Sequence, residues 1–241
     1  MKKDKFKLES YSQLGEDLNI DRLLRARFNK NENVTGFYVD VGAFHPYKFS
    51  NTYKFYERGW KGINIEPNPE TFHLLEKFRP DDINLNIGIS SQESKLQYWK
   101  YNRGAFNTFS KSEVLKLESL PNLELKEVLQ IQTKPLNMVL EEYCNEFSEI
   151  DFLSVDVEGL DFEVLSSIDL ARWKPKIICV EENMLLHRSF NKSKIYKLLI
   201  KAGYELKCIV AKSNIYIWNP GKTKKESNWL LSFFNRIRSK F

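Results

Sequence analysis

The strongest constraint on this chain is a rhythm in which short apolar runs alternate with amphipathic stretches, and most runs stop at an acid. Phe37–Val41 lies between Gly36 and Gly42, and Gly62–Glu66 is cut off by Pro67 and Pro69. Ile83–Ile89, Ile150–Val157 and Lys176–Glu181 repeat the pattern. Runs this short, rich in β-branched residues and bounded by glycine or proline, read as buried strands. Between them, Ser50 can cap a helix over Asn51–Arg58 that Gly59 ends, and Pro69 suits the first turn of Glu70–Phe78, closed by Pro80. Leu136–Cys144, Asp161–Ile168 and Ser193–Ala202 read as further helices. Strand–helix–strand repeats demand right-handed crossovers, hence a mostly parallel sheet with helices on both faces. Tyr204–Val210 and Asn214–Trp218, joined by a tight turn at Ala211–Ser213, add an antiparallel strand at the end. The fold class is α/β, doubly wound. The less regular stretch around 90–133, with strands at Leu96–Tyr101 and Leu129–Thr133 and a helix at Lys111–Leu120, reads as an insert.

The chain divides into an N-terminal helical segment (1–35), the α/β domain (36–218) and a basic, aromatic C-terminal helix (219–241). Its net charge of +5 is mild. Lys222, Lys224, Lys225, Arg236, Arg238 and Lys240 supply much of it against Glu226 alone, so the charge does not call for a nucleic-acid partner. In that segment Trp229, Phe233, Ile237 and Phe241 recur every fourth residue, a pattern for peripheral membrane contact, for docking on the domain, or for a homodimer. Cys144, Cys179 and Cys208 show no C-x-x-C spacing, which argues against a zinc site or disulfide framework. No apolar h-region follows the first lysines, and no run approaches the roughly 20 apolar residues of a bilayer span. The expected location is the cytoplasm, at the inner face of the membrane if the last helix binds lipid.

In open α/β sheets, ligands bind beyond the carboxyl ends of the strands. Those ends here are Asp40-Val-Gly42, Glu66-Pro-Asn68, Gly88-Ile-Ser90, Asp156-Val-Glu158-Gly159 and Glu181-Glu182-Asn183. A carboxylate closing the second strand, Glu66, can accept from both hydroxyls of a ribose, in NAD and S-adenosylmethionine alike. The first loop separates those cofactors. Gly42 is followed by Ala43, Phe44, His45 and Pro46, so the G-x-G-x-x-G approach to a pyrophosphate is missing, and no P-loop is present. A cofactor without phosphate fits better, and the ammonium and sulfonium of S-adenosylmethionine suit the acids. An NAD(P)-dependent oxidoreductase is the alternative that the missing glycines disfavour. A non-catalytic sugar- or membrane-binding scaffold on the same fold is another.

The chain resembles the FkbM-type S-adenosylmethionine-dependent methyltransferases. The likeness is carried by Tyr11-Ser-Gln-Leu-Gly-Glu-Asp17, Gly36-Phe-Tyr-Val-Asp-Val-Gly-Ala43, Ser50-Asn-Thr52, Gly59-Trp-Lys-Gly-Ile-Asn-Ile-Glu-Pro67 and Ile150-Asp-Phe-Leu-Ser-Val-Asp-Val-Glu-Gly159. It implies a class I methyltransferase (Rossmann-like) fold, with a mostly parallel seven-stranded sheet and an antiparallel final strand. The implied activity is O-methylation of a sugar hydroxyl, with a nucleotide-linked sugar or a surface-polysaccharide glycan as acceptor. It further implies that Asp40 and Gly42 form the cofactor loop, that Glu66 binds ribose with Asn68 near the adenine, and that Gly88 and Ile89 line the adenine pocket. Gln13, Asn51 and Thr52 are then placed at the methionine end. Phe44 stands where the commoner D-x-G-x-G loop has its second glycine.

An alcohol acceptor must lose its proton as it attacks, so a base is needed beside it. Asp156, next to the expected methyl position and so also cofactor-binding, is the first candidate. His45 comes second, Glu158 is a third, and His187 is set aside as a surface or core-edge residue. Asp156, Glu182 and Asn183 could together hold Mg²⁺. Acids that bind substrate or cap helices without metal are the favoured reading, and no metal ligand is assigned. In the insert, Trp99, Tyr101, Arg103, Phe106, Asn107 and Phe109 suit a sugar acceptor as well as they suit local packing.

Overall fold

A computed structural model describes residues 8–144, 149–182, 190–219 and 221. Helix α1 (Glu16–Phe28) leads into β1 (Phe37–Val41), α2 (Tyr53–Tyr56), β2 (Lys61–Ile65), α3 (Pro69–Phe78) and β3 (Ile83–Leu85). Then come β4 (Gly88–Ile89), β5 (Ser94–Tyr101), α4 (Lys111–Leu117) and β6 (Leu125–Lys134). Alternation resumes with α5 (Leu136–Tyr143), β7 (Phe152–Val155), α6 (Asp161–Ser166), β8 (Ile177–Glu181) and α7 (Lys194–Lys201), before β9 (Tyr204–Val210) and β10 (Ser213–Trp218). Seven strands form one sheet in the order β3-β2-β1-β7-β8-β10-β9. β10 runs antiparallel to both its neighbours, and the other pairings are parallel. This is the doubly wound class I methyltransferase sheet that the sequence led us to expect.

Side-chain alternation explains why the strand sequences read as unbroken apolar runs. Val39, Val41, Ile65, Leu153, Val155 and Val180 face one side, against Leu136 and Leu140 of α5, Val164 of α6 and Leu199 of α7. Tyr38, Phe152, Ile177 and Cys179 face the other, against Ile20 and Leu24 of α1 and Phe55 of α2. With both faces covered, all five residues of β1 are buried.

Three local expectations change. The helix expected over Asn51–Arg58 is a single turn, Tyr53–Tyr56, although Ser50 Oγ does accept from the Tyr53 amide at 3.1 Å. The run Ile83–Ile89 splits: Ile83–Leu85 pairs with β2, whereas Gly88–Ile89 pairs with Thr133 and Lys134 of β6. Gly88-Ile-Ser90 therefore ends a strand of a second, three-stranded sheet, β4-β6-β5, which the insert builds beside the first. Its long strand β6 starts at Leu125, four residues before the expected Leu129, because cross-strand bonds to β5 hold a solvent-facing stretch that burial alone would not mark. The C-terminal helix, His187 and Asn183 lie outside the described residues. Among the described residues, no helix is long and apolar enough to cross a membrane.

Candidate active site

β1 lies beside both β2 and β7, the point where strand order reverses and a crevice must open. A cavity of about 280 Å³ occupies that crevice, with Asp40, Gly42, Glu66, Asp156 and Glu158 in its walls. Gly42 is the seam between the two halves. Its φ is 83°, and a Cβ there would stand 1.8 Å from the Asp156 carbonyl oxygen. Its amide donates to the Ile65 carbonyl at 2.9 Å. The single glycine thus permits a left-handed turn and the contact of β1's end with β7's.

At the β1–β2 end each carboxylate is met by donors. Asp40 is buried and its Oδ2 accepts from Thr52 Oγ1 at 2.8 Å. Burial raises its pKa, while bonds from Thr52 and Ser154 and the charge of Arg79 pull it back. Glu66 accepts from the Phe44 amide at 2.7 Å through Oε2 and from the Asn68 amide at 2.8 Å through Oε1. Burial pushes its pKa up to about 7 against those bonds. Asn68 sits behind it as the cap of α3, its side chain accepting from the Glu70 amide at 3.2 Å. Gly88, Ile89 and Phe109 form an apolar wall, and a Cβ on Gly88 would meet the Phe109 ring at 2.5 Å. The Tyr11–Asp17 stretch folds around Asp17, which accepts from Ser10, Ser12 and the Tyr11 amide, and Gln13 joins the cavity wall. Asn51 also lines the cavity and donates to Ser154 Oγ at 3.1 Å.

The β7–β8 end is different. Asp156, Glu158 and Glu181 each bring a carboxylate oxygen within 4.8 Å of the other two. Asp156 Oδ1 is buried and, among the described residues, has no hydrogen-bond partner. Burial, then the charges of Glu181 and Glu158, raise the Asp156 pKa well above the carboxylate range. Burial and Glu181 push Glu158 up to about 8, with Lys212 opposing. Lys212 Nζ lies 3.6 Å from Glu181 Oε1, at the exposed rim. Glu158 has a φ of 49°, and Thr108 Oγ1 holds its carbonyl at 2.8 Å. Asp161 fastens the same loop by accepting from the Val157 and Gly159 amides, each at 3.2 Å.

The expected site residues thus divide. Gln13, Asp40, Gly42, Asn51, Glu66, Gly88, Ile89, Asp156 and Glu158 line one cavity, whereas Thr52, Asn68 and His45 do not. His45 is turned to its own loop, where Nδ1 accepts from the Lys48 amide at 3.1 Å, and burial followed by the Lys48 charge lowers its pKa. Glu182 points away from Asp156, its carboxylate accepting from Ser193 Oγ at 2.9 Å. The residue that joins Asp156 is its neighbour Glu181, because successive strand residues face opposite ways. From the insert, Asn107 and Phe109 reach the cavity together with Tyr98; Trp99, Tyr101, Arg103 and Phe106 do not line it. Phe49 and Lys212 are lining residues that the sequence reading did not single out, and Phe44, noted there at the place of the loop's second glycine, lines the cavity too. Alternation along β8 was the one available signal, and it would have found Glu181.

The walls fit S-adenosylmethionine. They offer carboxylates for ribose hydroxyls and for cations, an apolar wall for a base, and no glycine-rich phosphate cradle. Such a sheet and such a crevice define a class I, S-adenosylmethionine-dependent methyltransferase. The family described as the methyltransferase FkbM domain matches residues 40–206, and the chain belongs to that family. No curated protein matches the sequence. Solved structures with similarity include the METTL16 MTase domain in one crystal form, at 9% identity over 89% of this chain and 71% of that one, TM-score 0.46. Precorrin-6y C5,15-methyltransferase from Geobacter metallireducens GS-15 is similar at 16% identity over 90% of this chain and 95% of that one, TM-score 0.39.

Proposed function

We propose that the enzyme methylates a carbohydrate hydroxyl, on a nucleotide-linked sugar or a surface-polysaccharide glycan, with Asp156 as the base. When bound, S-adenosylmethionine supplies an electrophilic methyl. The carrying observation is the buried Asp156 Oδ1, unpartnered among the described residues, beside Glu158 and Glu181. Asp156 stands in the cavity wall at the carboxyl end of β7, where an alcohol proton could pass to it and be shared with the neighbouring acids. Supporting a sugar acceptor are Phe44, Phe49 and Tyr98 in the same wall, flat faces for a pyranose, with Asn107 and Lys212 as polar contacts. His45 keeps its Nδ1 on the backbone and has no part in this reading.

The three acids also favour a second reading, transfer to an amino group, since they would attract an ammonium. Both readings are tested by incubating the protein with labelled S-adenosylmethionine and a panel of neutral and amino sugars, free and nucleotide-linked, then locating the methyl by mass spectrometry. Label on a hydroxyl is the expected result, and label only on nitrogen, or only on a non-carbohydrate, overturns it. EDTA should leave the rate unchanged. A loss restored by Mg²⁺ would instead make the acids metal ligands.

A further inference from the structure

Behind the cavity, Arg79 at the end of α3 is fully buried and outside the cavity wall. Its Nε donates to Asp82 Oδ2 at 2.9 Å and its Nη1 to the Pro46 carbonyl at 2.9 Å. Its Nη2 donates to the Tyr38 hydroxyl at 2.5 Å and to Thr52 Oγ1 at 3.3 Å, and the Tyr56 ring lies 4.5 Å from Cζ. Packing does not call for such a group. A buried ion pair is rarely more stable than well-packed apolar side chains of equal volume, so the guanidinium needs another explanation.

That explanation is directional. A guanidinium only donates, whereas a hydroxyl has one proton to give. With Arg79 donating to it and Ser50 Oγ 3.2 Å away free to donate as well, Thr52 Oγ1 turns its own proton to the carboxylate, Asp40 Oδ2, 2.8 Å away. Tyr38 is set the same way and donates to Asp82 at 2.7 Å. A parallel arrangement serves Asp40 from β7. The Asn51 amide donates to Ser154 Oγ, leaving the Ser154 proton for Asp40, its register partner. Arg79 also grips the loop itself. Pro46 lies between Phe44 and Phe49, both left-handed with φ of 54° and 59°, conformations an aromatic residue adopts only when its surroundings hold it there.

We propose that Arg79 is a positioning residue of the cofactor site: by donating to Thr52 it fixes that hydroxyl's proton on Asp40, and so presents a carboxylate of set orientation to the amino-acid end of S-adenosylmethionine. The inference rests on the cofactor reading above and not on the acceptor.

The test uses calorimetry of the full chain with three ligands: S-adenosylmethionine, S-adenosylhomocysteine, and 5′-methylthioadenosine, which lacks the amino-acid end. Thr52→Val keeps shape and removes the hydroxyl, and with it the proton given to Asp40 and the acceptor for Arg79 and Ser50. It should weaken the first two ligands about tenfold and leave the third unchanged. Arg79→Met, which also frees the loop, should weaken S-adenosylmethionine about 100-fold, with Arg79→Lys between the two. Should Arg79→Met fail to fold, Thr52→Val alone decides. A folded Thr52→Val with unchanged S-adenosylmethionine affinity, or with an equal loss for 5′-methylthioadenosine, overturns the proposal. Wild-type protein that binds none of the three would overturn the cofactor reading instead.

Discussion

The two ends of the cavity treat their carboxylates in opposite ways. At the ends of β1 and β2, Asp40 is met by the Thr52 hydroxyl, and Glu66 by two backbone amides. At the ends of β7 and β8, Asp156, Glu158 and Glu181 meet one another, and among the described residues Lys212 at the rim offers a counter-charge. Donors aimed at a carboxylate fix its lone pairs and make it a preorganised receptor. Acids crowded together under burial hold protons near neutral pH and can exchange them. On the function proposed above, one end would hold a ligand still and the other move a proton, with Gly42 as the point of contact between them.

The sharpest way to break that division is Asp156→Asn. The amide keeps shape and removes the proposed base, so kcat should fall about 1,000-fold while S-adenosylmethionine affinity, read by calorimetry, stays within about threefold. A parallel loss of affinity would show that Asp156 belongs to the holding end. Glu66→Gln is the reciprocal change. Its NH₂ would face the donors on Phe44 or Asn68, and one acceptor for the ribose is lost. The S-adenosylmethionine Kd should rise about 30-fold, with kcat at saturating cofactor little changed. A fall in kcat without a change in Kd would reverse the assignment.

Much of the holding end was legible in the sequence, because it depends on local signals. Buried strands with both faces covered read as apolar runs, and the acids that follow them stand out by contrast. Gly42 was legible as a loop residue, but its contact with the Asp156 carbonyl joins residues 114 positions apart and leaves no local trace. The reacting end was only half legible. Asp156 and Glu158 came from strand position, but which of Glu181 and Glu182 joins them depends on the pleat of β8. Phe44 and Phe49 were hidden for another reason: nothing in an aromatic residue announces a left-handed backbone, and tertiary bonds such as that from Arg79 to Pro46 impose it. Arg79 stands in no motif, and nothing in the sequence marks it.

The smallest expected effect is on stability, and it compares both ends in one measurement. Burial leads in raising the pKa values of Glu66, Glu158 and Asp161 to about 7, 8 and 7, from 4.5, 4.5 and 3.8. Between about pH 5 and pH 8 the folded chain therefore keeps protons that the unfolded chain has released. Because the folded state binds more protons there, the unfolding free energy falls as pH rises through the window and levels off above it. Differential scanning fluorimetry of the ligand-free protein should show Tm falling by roughly 5 °C or more from pH 5 to pH 8. Asp156, pushed up by burial and by Glu181, adds to the slope, so Asp156→Asn should flatten the profile more than Glu66→Gln does. Equal flattening would mean that the two ends carry the same strain, and a rising Tm would mean that the acids are not crowded at all. Saturating S-adenosylmethionine brings positive charge to ionised carboxylates, so the Tm increment it gives should be larger at pH 8 than at pH 5.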